Sequence, residues 1–593
     1  MSLLAALVRA YDRLPDAPPF GYSTEKIGFC VVLNADGTVA DVADLRGDDK
    51  KHSPRMLVVP ASPKRSGSTP RPNFLWDNAN YALGIGKLKD ADDMRFDSFR
   101  EKHLEYLAQA STAELRALCL FLKNWQPENC QSYFDPAKPP TEGIVFAHSD
   151  SYRSMFLHET AESRETWANE RDRWIAVPGK RTERAVCIVT GKRSAIQRTH
   201  PPIKGVWGGK TEMALVSFNS EAYESYGHEQ GDNAPISEAA AFAYTTALNH
   251  FLADKAHRLQ IGDASTVFWA DAKDIALDTE ILTEAEAIFA QLLDGPGTDT
   301  SADDKNQTAK IKDKLDQIRN GQKLTSIAPD LAAGVRFHIL GLAPNAARLS
   351  VRFYWEDDFG VLVKNYQRYL ADTELDPPPR DGWPPLWRWL TELAVLGKRE
   401  NVPPLIAGEW MRAILTGTPY PLTLLSTVLM RLRADGEVNA LRAAILKSVL
   451  IRNFQSKEAP VALDPANTNK GYILGRLFAV YEEVQRAALG GNVNATIKDK
   501  FYGSASATPQ KVYRTLDAGS QNHFSKLRKQ SPGRAVNLEK LLTSITDLME
   551  PGNDPYPASL ASTEQALFGL GYYHQRSDFF RKRDDKTSEE TAE

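Results

Sequence analysis

The chain has 593 residues, of which 42% are hydrophobic and 25% charged, and its 72 basic and 76 acidic side chains give a net charge of −4. Its 37 glycines and 35 prolines are ordinary for a folded protein, which excludes collagen-like, coiled-coil and wholly disordered classes. The length predicts about three to five domains, or one large lobe with appendages. Four cysteines are too few for a disulfide framework and fit a reducing compartment.

The beginning of the chain predicts a short amphipathic helix, because Leu3, Leu4 and Leu7 recur at helical spacing. Arg9 and Asp12 stand where a signal peptide would need apolar residues. No stretch approaches the roughly 18 uninterrupted apolar residues of a membrane span. We therefore expect a cytoplasmic protein that does not contact a membrane.

The first third of the sequence alternates strand and helix patterns. Ile27–Leu33 is an apolar run of strand length, and the turn at 34–37 leads to a second strand near Val39. Met56–Val59 predicts a third strand, and helical patterns follow over 99–122. This region is expected to be a mixed α/β lobe.

A loop without apolar residues to bury, 61–72, separates these strands from the helices and is either disordered or ordered by a ligand. Directly after it come Phe74, Trp76 and Asn78. Aromatic rings stack on bases and asparagine contacts a base edge, so this segment is a candidate for reading DNA. The alternative is that the two rings belong to the core and that Asn78 caps a helix.

In the middle of the chain, Ser237 marks the start of an alanine-rich helix that runs to Leu252. Residues 294–307 read as a polar linker. Arg336–Leu342 and Arg348–Trp355 predict two neighbouring strands, the second with Leu349, Val351 and Phe353 on one face and Arg348 and Arg352 on the other. This pattern predicts a half-buried sheet with arginines on its outer face, and the alternative is that these arginines only face water.

Prolines between 376 and 385 mark a boundary, beyond which the pattern is almost entirely helical. The predicted fold class is therefore α+β, with a mixed α/β lobe at the N-terminus and a mostly helical bundle at the C-terminus. The expected domains are 1–225, 226–380, 381–466 and 467–593.

Basic residues are concentrated in three places although the chain as a whole is nearly neutral. The first basic block (Arg46–Arg71) has seven basic and two acidic residues, the second (Arg171–Lys210) ten and two, and the third (Gly490–Arg534) eight and two. Such blocks are either solvated faces or contacts for one polyanion that is touched at several places.

Motifs for catalysis are not found. Gly209, Lys210 and Thr211 resemble the end of a P-loop, but the first glycine of that motif would stand at Lys204. The glycine-rich loop is still suited to approach a phosphate backbone. Cys187 and His200 are isolated, so neither a zinc site nor any other metal or cofactor is expected.

Four long stretches are recognisable together. They are Arg71–Gly84, Ala214–Asn219 continuing through Ser225–Gly227 to Gly231–Ser237, Leu340–Phe353, and Gly471–Val480. Taken together, they resemble the large subunit of the type I-C CRISPR surveillance complex (Cascade), and the resemblance runs nearly end to end.

The resemblance implies a subunit without nuclease activity. Such a subunit binds a guide-RNA complex with its backbone and capping subunits, reads the protospacer-adjacent motif in double-stranded DNA, promotes strand invasion and holds the displaced strand for a recruited helicase-nuclease. It also implies that the region after about Asn467 resembles the small subunit of the complex. No methionine lies between Met430 and Met549, so a separate product starting near Gly471 would need another start codon.

Candidate DNA contacts follow from the basic blocks read in the light of this resemblance. Motif and duplex contacts are assigned to Lys50, Lys51, Lys64, Arg65, Arg71, Asn73, Trp76, Asn78, Lys204 and Lys210. Displaced-strand contacts are assigned to Lys498, Lys500, Lys511, Lys526, Arg528 and Lys529, and RNA or subunit contacts to Arg348 and Arg352.

Two other functions stay open. The first alternative is a structural scaffold of the ribonucleoprotein, whose basic blocks contact only RNA or protein. The second is a metal-dependent nuclease, for which the only candidate residues are His148, Asp150, His158 and Glu159.

Overall fold

The α+β class expected from the sequence is confirmed. The structure is a computed structural model that describes residues 2–15, 17–47, 53–62, 65, 69–85, 92–134, 140–175, 184–209, 213–218, 220–272, 279–294, 305–379, 384, 386–490 and 495–581. The chain divides into two compact units. Unit 1 comprises residues 1–199 and 218–247, and unit 2 comprises residues 200–217 and 248–593.

Unit 1 contains a five-stranded mixed sheet around one long central strand. The strands are β1 (Tyr22–Leu33), β2 (Val39–Asp44), β3 (Arg55–Pro60), β4 (Trp76–Asp77) and β5 (Gly143–His148). On one side of β1, β3 pairs with its first half and β2 with its second half, both antiparallel; on the other side β5 is parallel, and β4 follows β5. The predicted strands and the turn between β1 and β2 are confirmed.

Helices cover this sheet and enclose an aromatic core that includes Phe74, Phe99, Phe146 and Trp174. The helical pattern predicted over 99–122 is divided into two helices. The elements are α1 (Leu3–Tyr11), α2 (Ala79–Ala82), α3 (Asp92–Tyr106), α4 (Ala113–Asn124) and α5 (Ala161–Ile175), with a small hairpin of β6 (Arg184–Val186) and β7 (Arg193–Ala195).

Unit 2 begins with a four-stranded antiparallel sheet of order β11-β10-β9-β8, formed by β8 (Arg258–Ile261), β9 (Ala264–Ala272), β10 (Val335–Asn345) and β11 (Arg348–Asp358). The two strands predicted near 336–355 are confirmed. One detail of β11 was wrong: Val351 was expected on the buried face and is 44% exposed. The register shifts there, because Gly341 pairs with Phe353 but the next residue of β10 pairs with Val351, so Arg352 is an extra residue that reverses the alternation.

From residue 404 onward the chain is a helical bundle, as expected. Among the described residues, no helix is long and apolar enough to cross a membrane, and the predicted linker at 294–307 lies mostly outside them. The remaining helices are α6 (Glu238–Ala253), α7 (Thr279–Asp294), α8 (Lys305–Arg319), α9 (Leu324–Ile327), α10 (Pro329–Ala332), α11 (Phe359–Thr373), α12 (Leu386–Thr391), α13 (Pro404–Thr416), α14 (Leu422–Asp435), α15 (Ala440–Phe454), α16 (Lys470–Leu489), α17 (Ile497–Ala507), α18 (Pro509–Gln530), α19 (Pro532–Thr546) and α20 (Ser562–Asp578).

Helices α16 and α20 touch through their backbones. A Cβ atom on Gly475 would lie 2.1 Å from the carbonyl oxygen of Phe568, and one on Gly571 would lie 2.3 Å from that of Tyr472. On another side of α20, a Cβ on Gly569 would lie 2.9 Å from Cδ1 of Leu446 in α15. The helices before and after residue 466 therefore share one core.

Candidate nucleic-acid interface

Four of the cations proposed for DNA contact, Lys50, Lys51, Lys64 and Lys210, lie outside the described residues. The others are described and fall into three groups. Some are bonded within the protein, some lie on an exposed hairpin or loop, and some lie on an exposed helix face. The groups differ in how much of their charge is already neutralised by a neighbouring carboxylate.

Arg65, in the first basic block, forms three hydrogen bonds and a cation–π contact within unit 1. Its guanidinium donates to the Arg71 carbonyl oxygen at 2.9 Å, to Asn73 Oδ1 at 3.1 Å and to Asp77 Oδ2 at 2.5 Å. It also lies over the Tyr81 ring, 4.2 Å from the centroid. Its side chain is 33% exposed, so it holds the end of the 61–72 loop against the next segment while showing one edge to solvent.

The partner carboxylate, Asp77, is fully buried. Burial raises its pKa to about 6, although the charge of Arg65 and hydrogen bonds from the amides of Asn73 and Asn78 act in the opposite direction. A buried carboxylate with one cationic partner depends on that partner, because its solvation has been lost. Arg65 is therefore needed inside unit 1, independently of any ligand.

The residues that follow the loop are also engaged within the protein. Asn73 and Trp76 are 2% and 6% exposed, and the Trp76 indole donates to the Pro60 carbonyl oxygen at 2.7 Å. Asn78 Oδ1 accepts from the amides of Asn80 and Tyr81 and caps α2. The core-and-cap alternative is thus confirmed for this segment, and base reading by these residues stays a prediction.

The second basic block presents its free charge on the β6–β7 hairpin. Arg184, Lys192 and Arg193 are exposed, and none of them forms an ion pair with another described residue. Val186 and Ile188, on the same hairpin, are 57% and 63% exposed. Sequence reasoning counted these cations in the block but did not select them; the available signal was a 12-residue stretch, 184–195, with three cations and no acid.

This hairpin is anchored at its buried face. Cys187 Sγ accepts a hydrogen bond from the Ser237 amide at 3.2 Å, and the Ile188 amide donates to the Pro235 carbonyl oxygen at 2.9 Å. Burial raises the pKa of the Cys187 thiol, but hydrogen bonds from Ser237 and Thr190 outweigh it and lower the pKa to about 7. A two-stranded ribbon has the dimensions to enter a major groove, and this one presents cations on a fixed base.

The glycine-rich loop of unit 2 places Lys204 at the surface. Its amide donates to Asn249 Oδ1 at 2.8 Å while its side chain is exposed. Gly205 and Gly208 adopt φ angles of 81° and 68°, which favour glycine. This loop also exposes Trp207, which was not among the candidates selected from the sequence.

The third basic block forms a cationic face on α18. Lys511, Arg514, Lys526 and Lys529 are exposed and lie opposite the side on which Val512, Leu516, Phe524 and Leu527 are buried. None of the four forms an ion pair with another described residue. The face extends about 27 Å from Lys511 to Lys529 at 1.5 Å per residue.

The other candidates of this region are placed less favourably. Arg528 forms an ion pair with Glu539 of α19. Lys500, on α17, is exposed, whereas Lys498 is half-buried. On β11, Arg352 pairs with Asp263 at 2.6 Å and Arg348 is half-buried beside its bridge to Ala214.

The residues that suggested a nuclease do not form a metal site. His158 is buried, which lowers its pKa to about 4, and Asp150 is 89% exposed. The Glu159 carboxylate accepts from the Phe156 amide at 2.8 Å and caps its own short helix. Within the described ranges, no group of three or more histidine, cysteine, aspartate or glutamate side chains could hold a metal ion.

Comparison with known proteins identifies the family of the chain. A search of curated proteins found no match. The profile of a protein family described as CRISPR-associated protein (Cas_Csd1) matches residues 7–580, which is nearly the whole chain. The chain therefore belongs to the Cas_Csd1 family, the family of the large subunit of the type I-C Cascade complex.

Proposed function

We propose that this chain is the non-catalytic large subunit that reads the protospacer-adjacent motif in duplex DNA, promotes strand invasion by the guide RNA, and holds the displaced strand for a recruited helicase-nuclease. Its partners would be the guide RNA with the backbone and capping subunits of Cascade, double-stranded target DNA, and a small subunit that resembles its own C-terminal helices. Family membership supports a place in the Cascade complex, and the arrangement of exposed cations supports the DNA contacts.

The observation that carries the proposal is the α18 face. Lys511, Arg514, Lys526 and Lys529 stand on one side of a 22-residue helix without a carboxylate partner among the described residues. Arg65 and Arg352, by contrast, are each neutralised by a carboxylate of the protein itself. A row of unneutralised cations on a rigid helix suits the phosphates of a nucleic-acid strand, which release counterions when they bind.

Motif reading requires a second contact to the duplex. The β6–β7 hairpin of unit 1 offers Arg184, Lys192 and Arg193 for that role, in addition to Lys50, Lys51 and Lys64 of the first block. Phosphate contacts would set the register, and base-edge contacts would supply the specificity.

The scaffold function is favoured by one observation, which concerns the first block alone. Arg65 is committed to the buried Asp77, and Asn73 and Trp76 are buried, so part of this block serves the fold of unit 1. A test of motif reading should therefore leave Arg65 intact and reverse Lys50, Lys51 and Lys64 only.

The experiment is target binding by the reconstituted guide-RNA complex, with and without this chain, over duplexes randomised at the flanking motif and at two salt concentrations. Binding that depends on the motif only when the chain is present supports the proposal. If the complex assembles with the chain and binds all flanking sequences equally, the scaffold function is correct. Cleavage of DNA by the purified chain with a divalent metal, lost in His158→Ala, would instead support the nuclease.

A further inference from the structure

Trp207 is the exception among the tryptophans of this protein. Eight of the nine tryptophans whose side chains the structure describes are at most 6% exposed, whereas Trp207 is 64% exposed. A tryptophan that remains in water forgoes the hydrophobic stabilisation of one of the largest apolar surfaces that a residue can bury. Its exposure here calls for a physical reason.

The loop that carries Trp207 is held firmly, so the exposure does not come from a frayed segment. Its base is closed by two backbone hydrogen bonds between Ile203 and Met213, at 2.7 and 3.2 Å, and both residues are buried. The Trp207 amide donates to Ser265 Oγ at 2.9 Å, and Arg258 donates to the Gly205 carbonyl oxygen at 2.8 Å. The backbone on each side of the indole is thereby fixed to the sheet of unit 2.

The residues next to the ring are glycines, and the loop carries an exposed cation. Gly205 and Gly208 are exposed, whereas Gly209 packs against Met213, since a Cβ there would lie 2.3 Å from Cε of Met213. Lys204 is exposed, and the guanidinium of Arg258 adds a positive charge at the base of the loop. The carboxylate of Asp263, two residues before the Ser265 that accepts from the loop, is neutralised by Arg352.

We propose that Trp207 stacks on one unpaired nucleobase of a DNA strand, with Lys204 contacting the adjoining phosphate. A flat aromatic ring on a fixed loop, beside cations and bare backbone, matches what single-stranded nucleic acid offers: a π-face and a phosphate a few ångströms apart. A protein partner would need a broader apolar surface than one ring. The proposal rests on the proposed function only in taking DNA as the polyanion.

The test is binding of a fluorescein-labelled 15-nucleotide mixed-sequence single strand to the purified full-length chain, measured by anisotropy over a series of salt concentrations. Trp207→Ala should weaken binding at least about fivefold, the lower end for one stacked base, and should leave the slope against log salt unchanged. Trp207→Phe should recover most of the affinity. Lys204→Ala should make the slope shallower by about 0.7.

Leu405→Ala is the matched control, because this side chain is 67% exposed on α13 of the same unit and should have no effect. Unchanged binding by Trp207→Ala overturns the proposal, and a simultaneous loss of complex assembly would assign the ring to a protein contact. If motif dependence fails in the reconstituted complex while Trp207→Ala still weakens single-strand binding, the proposed function is wrong and the stacking site stands. If binding by the complex depends on the motif while Trp207→Ala binds single strands normally, the stacking site is wrong and the proposed function stands.

Discussion

Arg65 and Asp77 form an ion pair of 2.5 Å in which the carboxylate is fully buried and the guanidinium reaches solvent. The pair connects residues 12 positions apart and joins the 61–72 loop to β4, an edge strand of the sheet in unit 1. Arg65, which the sequence assigned to DNA, thus stabilises the fold of unit 1. A loss of DNA binding in a variant without Arg65 would combine a lost DNA contact with a destabilised unit 1.

Removing this arginine should therefore destabilise unit 1 in a pH-dependent manner. Arg65→Ala leaves the Asp77 carboxylate buried without a counter-charge, which should cost about 3 kcal/mol at pH 8. The loss of Arg65 also raises the pKa of Asp77 above its present value of about 6. At pH 5 the carboxyl can take up a proton, so the cost should be smaller there. Thermal unfolding of the full-length chain at the two pH values measures the difference.

The direction of this pH effect follows from the raised pKa. The folded state binds the Asp77 proton more tightly than an unfolded aspartate with a pKa near 3.9, so the stability from this group falls as the pH rises from about 4 to about 6. Asp77→Asn combined with Arg65→Ala should recover part of the loss at pH 8. The control is Arg173→Ala, which breaks an exposed pair with Glu105 and should cost at most about 1 kcal/mol. Equal losses for both arginines at both pH values would contradict this account.

The hairpin cations predict a defect specific to duplex DNA. Replacing Arg184, Lys192 and Arg193 by alanine should weaken duplex binding by the reconstituted complex and make its salt slope shallower by up to about 2.7, which is about 0.9 per phosphate contact. The anchors of the hairpin at Cys187 are untouched, so the fold should be retained. An unchanged slope with a normal circular dichroism spectrum would remove the hairpin from the interface.

The α18 cations predict a defect in holding single-stranded DNA. Lys511, Lys526 and Lys529 replaced together by alanine should lower single-strand affinity and reduce the salt slope by about 2, at about 0.7 per phosphate. The matched control removes three exposed cations elsewhere in unit 2, Lys364, Lys398 and Arg412. If both triple variants lose affinity equally, binding reflects the overall charge of the chain and the α18 face has no special role.

The contact between α16 and α20 predicts strong intolerance to a single methyl group. Gly475→Ala places a Cβ where the Phe568 carbonyl oxygen now lies, so the helices must separate, at a cost of about 1–3 kcal/mol or more. Gly519→Ala, on α18, meets no atom within 4 Å and should instead stabilise the chain by about 0.5–1 kcal/mol, through helix propensity alone. Urea unfolding of the two variants gives opposite shifts if the contact has been described correctly.

Local patterns were sufficient to predict much of this fold. The β1–turn–β2 unit and the strands of the β10–β11 hairpin depend on neighbours within a few residues, and they appear as expected. The exposure of the α18 lysines was predictable for the same reason, because helical spacing alone separates them from the buried face.

Features that depend on distant residues were not predictable. The helical pattern is interrupted between α3 and α4. Just before α4, the amides of Ser111 and Thr112 donate to the Glu162 carboxylate, which lies some 50 residues away in the sequence. Arg476 and Glu483 are charged, yet both are buried because helices surround α16 on nearly all sides. The role of Arg65 likewise required knowledge of where Asp77 lies.

Helix α20 packs against two other helices, since it contacts α16 at Gly571 and α15 at Gly569. A separate protein made only of residues after 467 would have to regain the α15 contact by diffusion. In the intact chain the connection at residue 466 supplies a local concentration that is in the millimolar range for short flexible tethers. Covalent continuity therefore sets a stoichiometry of one such helical module for each large subunit, in addition to any copies that bind elsewhere in the complex.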